Sequence, residues 1–192
     1  MSIIFPCAFS PWTPSFGDAT LIGWSIAAFY VVVAVSCARS ARGADIALPI
    51  QRREVLFWWT CALVLGFLAI NKQLDLQTLV TDVGRCIAVE QGWYEDRRDV
   101  QRGFLAAVVL LGVTGVLCCG LVLRRTFART GLAVLGLGFV CLFVVVRAAS
   151  FHHVDTLLGG LVLGLRISTL LEVTGPLMIL AASVRAARRR PG

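Results

Sequence analysis

Lysine occurs once in these 192 residues, and histidine, tyrosine and methionine twice each. With so little histidine the chain has no HExxH or HxxxH pattern, and its seven cysteines form no CxxC. The common spacings of zinc enzymes and zinc ribbons are therefore missing. No Lys or Arg precedes the first apolar block, so that block lacks the charged n-region of a cleaved signal peptide. Its end, "AVSC" at Cys37, resembles a lipoprotein cleavage box only in part, because Ala34 stands where a leucine-like residue belongs. We expect neither kind of processing. Long-period repeats, low-complexity linkers and room for a separate soluble domain are also lacking.

What is abundant is apolar. Hydrophobic residues make up 58% of the chain and mean hydropathy is +0.83, against about 45–50% apolar residues in a soluble domain. They fall into blocks of bilayer length, roughly 17–25 residues. A backbone in lipid must satisfy its own hydrogen bonds, so each block should be helical. The expectation is an all-α polytopic membrane bundle forming a single domain. About five transmembrane helices are placed near 20–37, 55–71, 104–124, 131–149 and 160–184.

A net charge of +7 could suggest nucleic acid, but its distribution points to a membrane. Arg39, Arg42, Arg52 and Arg53 lie between blocks one and two, and Arg124, Arg125 and Arg129 between three and four. Arg185, Arg188, Arg189 and Arg190 follow block five. These alternate connections share one side, which the positive-inside rule makes cytoplasmic. The N-terminus is then expected outside and the C-terminus inside, with membrane lipids as partners and no nucleic acid.

The lone lysine sits in "AINKQLDLQT", residues 69–78, directly after an apolar run. Asn71, Lys72, Gln73 and Asp75 form a dense polar knot at the outer end of block two. After it, Leu76, Val80, Val83 and Ile87 recur at helical spacing, predicting an amphipathic interfacial helix over about 76–91. Asp75 suits its N-cap, Gly92 its stop, and Lys72 the negative end of the preceding helix. Capping alone can thus account for the knot. A ligand corner built from the same groups is the competing reading.

Glu172 lies inside block five, where a carboxylate costs roughly 2.5–3.5 kcal/mol on insertion scales. A cation should lie beside it, or a proton on it. Arg166, six residues away on the same expected helix, is offset by about 9 Å along the axis and is a poor partner. Arg147 and Lys72 are better placed. Pro176 removes the N–H that would bond the carbonyl of Glu172, so a free carbonyl and a carboxylate should share one bend. The expected pocket comprises Asn71, Lys72, Gln73, Asp75, Arg147 and Glu172, with His152 and Asp155 toward the same side.

His152, His153 and Asp155 also form a candidate metal set. Neighbouring side chains diverge by about 100° on a helix but can converge in a loop, where zinc or iron would accept them. Of the cysteines, only Cys7 and Cys86 are expected outside, which leaves a bridge between them open. Gly160 and Gly164, in GxxxG spacing, are expected to allow close helix approach, as are Gly112, Gly115, Gly136 and Gly138.

Taken together, "INKQLDLQ", "GWYEDRR" and "RAASFHHVD" resemble a family of small bacterial integral membrane proteins, over about residues 54–180. The resemblance implies a bacterial plasma-membrane (inner-membrane) location and transfers no catalytic residues. A looser similarity, carried by Ser150, His152, His153 and Asp155, is to membrane-embedded metal hydrolases of the ceramidase and adiponectin-receptor type. This chain departs from them in having five expected helices rather than seven, two histidines and no HxxxH. Two functional readings follow. One is a binding or accessory protein that holds a lipid headgroup or a partner subunit. The other is a metal-dependent hydrolase acting on a lipid ester or amide.

Overall fold

The computed structural model describes residues 20–43, 49–74, 76–92, 94–149, 161–162 and 165–188. Six α-helices account for nearly all of them: α1 (Leu21–Arg42), α2 (Pro49–Leu74), α3 (Leu76–Glu90), α4 (Arg97–Val122), α5 (Phe127–Ala149) and α6 (Ile167–Arg188). Short 3-10 turns, Tyr94–Asp96 and Arg124–Thr126, lead into α4 and α5. All the long helices, that is every one but α3, are long and apolar enough to cross a membrane.

The helix ends follow local chemistry. Thr20 caps α1 by accepting a 3.0 Å bond from the Gly23 amide, and Arg39 and Arg42 occupy its last turn, at the negative end of the helix dipole. Gly92 ends the segment after α3 with φ +75°, a left-handed conformation that costs glycine little. Its amide donates to the Val89 carbonyl at 3.3 Å.

Packing runs in a line, α2 on α1, α1 on α6, α6 on α5, and α5 on α4. The buried core draws Val33 and Cys37 from α1, Trp58 and Leu65 from α2, Ala133 from α5 and Ile179 from α6. Helix α4 stands at the margin, and none of its spanning window is buried. The α5–α6 contact is the tightest. A Cβ on Gly136 would meet the Gly175 carbonyl oxygen at 2.7 Å, and one on Gly175 would meet the Gly136 carbonyl at 2.7 Å. The two backbones therefore touch, one residue before Pro176.

Two expectations need correction. The last helix starts at Ile167, not near 160, because Leu161–Val162 pairs with Leu165–Arg166 as a two-residue antiparallel ladder. Arg166 therefore belongs to that ladder and precedes the helix carrying Glu172. A glycine-rich apolar run can turn back on itself, and its hydrophobicity does not distinguish that from a helix. Gly160 and Gly164 lie outside the described residues. Close helix approach uses Gly136 as expected, with Gly175 opposite, whereas a Cβ on Gly115 would have nothing within 4 Å.

Candidate functional site

The end of α2 and the first turns of α6 meet over α1. Lys72, in the last turn of α2, places Nζ 3.1 Å from Glu172 Oε1 and 3.2 Å from Oε2. The ammonium thus sits astride the carboxylate. Both side chains are largely shielded, at 14% and 8% exposure. Tyr30, from the middle of α1, brings its hydroxyl to 3.4 Å from Glu172 Oε1 and 3.5 Å from the Glu172 carbonyl oxygen. That carbonyl is the one released by Pro176, so the phenol takes the place of the missing backbone donor. At these lengths each contact is weak, and together they form one shared bond.

Gln73, next to Lys72, donates from Nε2 to the Gly23 carbonyl at 3.5 Å and ties α2 to the start of α1. Its Oε1 is buried and has no hydrogen-bond partner among the described residues. Asn71 is half-buried. It lies three, four and seven residues beyond Leu68, Phe67 and Val64 and so continues their stripe on α2.

Those three residues form one wall of an apolar cleft of about 420 Å³. Val108 and Gly112 of α4 and Val144 of α5 contribute the others. The cleft lies between the two ends of the helix line, where α2 faces α4 and α5. Asn71 stands one turn beyond its α2 wall.

The structure brings together Lys72 and Glu172 from the expected pocket, with Gln73 beside them and Tyr30 added. Arg147 falls in α5, one turn beyond Val144, and its side chain lies outside the described residues. Asp75, His152, His153 and Asp155 also lie outside them. Among the described residues no three His, Cys, Asp or Glu side chains assemble as a metal site. In α3, Cys86 and Ala88 are buried and Val83 and Ile87 half-buried. Asp82 and Arg85 pair loosely at 3.9 Å. Cys86 is disulfide-bonded, and the Cys7 half of the expected bridge lies outside the described residues. Cys37, Cys61, Cys118, Cys119 and Cys141 are free thiols.

Three buried polar groups escape a reading of the sequence. Tyr30 is 3% exposed, Glu54 4% and Trp58 0%. The Trp58 indole N–H has no hydrogen-bond partner among the described residues. Tyr30 could have been found, because a tyrosine in mid-span rather than at the interface needs a partner for its hydroxyl. Glu54 looks like a solvated flank because Arg52 and Arg53 precede it.

No protein-family model, no curated protein and no solved structure matches this chain.

Proposed function

We propose that this chain is a bacterial plasma-membrane protein with a binding or accessory role, its ligand being a lipid of the outer leaflet. One acyl chain would occupy the cleft between α2, α4 and α5, and the headgroup would rest at the polar end of α2, beside Asn71. The observation that carries this reading is the cleft itself, about 420 Å³ of apolar space whose α2 wall continues, one helical turn on, to the half-buried Asn71. A pocket with apolar walls and a few polar groups at one end is the usual form of a small-ligand site. Lys72 and Glu172 hold the polar end in place, since their charges are already turned toward each other.

The orientation is part of the proposal. Arg39, Arg42, Arg124, Arg125, Arg129, Arg185 and Arg188 gather at the end opposite Lys72, which the positive-inside rule assigns to the cytoplasm. The disulfide-bonded Cys86 belongs to the Lys72 end, and such bonds persist on the oxidising side of a membrane.

Native mass spectrometry of the purified protein tests the reading. Wild type should retain one lipid, and Gly112→Leu, which fills the cleft from α4, should lose it. Equal retention would sink the proposal. Metal analysis of the same sample separates it from the hydrolase reading. Stoichiometric zinc or iron that disappears in His152→Ala would put the hydrolase in its place.

A further inference from the structure

At the opposite end of the bundle, α5 and α6 enclose a small pocket of about 60 Å³. It is lined by Ala128, Arg129 and Leu132 from the start of α5 and by Ala182, Arg185 and Ala186 from the end of α6. A water molecule's share of liquid volume is about 30 Å³. The space suits a small anionic group and is far too small for a whole lipid.

Arg129 and Arg185 carry the argument. Both are exposed, and among the described residues neither has a carboxylate within ion-pair distance or a hydrogen-bond partner. Among the described residues, nothing close by neutralises them. Arg124, Arg125 and Arg188 lie near the same two helix ends, and the only acid at this end among the described residues is the buried Glu54 on α2. Arginines from both walls of a small pocket suit a phosphate, whose oxygens a guanidinium can bond in pairs.

We infer that Arg129 and Arg185 form a binding site for the phosphate of an anionic glycerophospholipid in the leaflet at the arginine-rich end. The lipid's chains would lie outside the pocket along α5 and α6, where Leu135 and Val184 are exposed. Basic pockets between spanning helices are a recurrent form of headgroup recognition. The site is separate from the cleft of the proposed function and does not depend on it. It holds whichever compartment this end faces.

The test uses the full chain in neutral detergent, titrated with phosphatidylglycerol, phosphatidylcholine or inorganic phosphate and read by native mass spectrometry. Wild type should bind phosphatidylglycerol at least about tenfold more tightly than phosphatidylcholine. Each of R129Q and R185Q should weaken that binding about fivefold, and the double variant about thirtyfold. R52Q/R53Q, which removes the same charge from the same end, should leave it within about twofold. If R52Q/R53Q weakens binding as much as R129Q/R185Q, the attraction is diffuse and the site is overturned. Displacement of phosphatidylglycerol by inorganic phosphate at equal concentration would overturn the lipid assignment, because a free anion would then suffice. If the double variant does not fold, the single variants decide the matter, and an unchanged affinity in both rejects the site.

Discussion

A carboxylate within an apolar helix is offset here by two groups from two other helices, and the offset can be measured. Lys72 and Glu172 are 14% and 8% exposed, so solvent screens their attraction little. Removing one partner leaves a lone buried charge, which typically costs about 3–5 kcal/mol. Lys72→Met should therefore destabilise the protein by about 3 kcal/mol, and Lys72→Met with Glu172→Gln by less than Lys72→Met alone. Steric trapping in bicelles reads both values, and strict additivity would deny the coupling. Tyr30→Phe should cost under about 1 kcal/mol, because its bonds are 3.4 and 3.5 Å long. Much of this centre is legible in the sequence. The insertion cost of Glu172 demands a partner, Lys72 and Arg147 on other helices are the candidates, and Pro176 marks the free carbonyl. Tyr30 is half legible: a mid-span hydroxyl demands a partner, but an apolar block hides that the residue faces α6.

Among the elements, α5 and α6 carry the most exacting contact. A methyl group on Gly136 or Gly175 has no room, since the obstructing atom is a backbone oxygen 2.7 Å away. Gly136→Ala and Gly175→Ala should each cost about 1–3 kcal/mol, as overpacking does. Gly115→Ala on α4 is the control, with nothing within 4 Å, and should be neutral or slightly favourable. Thermal unfolding in detergent ranks the three, and equal midpoints would contradict the close crossing. The long helices are legible because lipid allows few other forms for such apolar runs. The start of α6 is not, since "GGLVLGLR" is as apolar as the helix that follows it. Gly136 can be suspected from composition. Its counterpart Gly175 cannot, because contact between helices depends on rotation and register, which composition does not record.

At the scale of the whole molecule, the helices form two sequential pairs, α1 with α2 and α4 with α5, and α6 joins them. The cysteines report on this arrangement. Alkylation of the denatured, unreduced protein should modify Cys37, Cys61, Cys118, Cys119 and Cys141. Cys86 should react only after reduction. Peptide mass spectrometry reads each site, and modification of Cys86 without reductant would contradict its bonded state. The joining helix is also the last of the described helices to be made. Lys72 and Glu172 are 100 residues apart in sequence, and synthesis proceeds at about 5–20 residues per second. For roughly 5–20 seconds after Lys72 leaves the ribosome, the carboxylate that will neutralise it does not yet exist. A chain halted in that interval lacks the ion pair that joins α2 to α6, a chemical difference between the unfinished protein and the finished one.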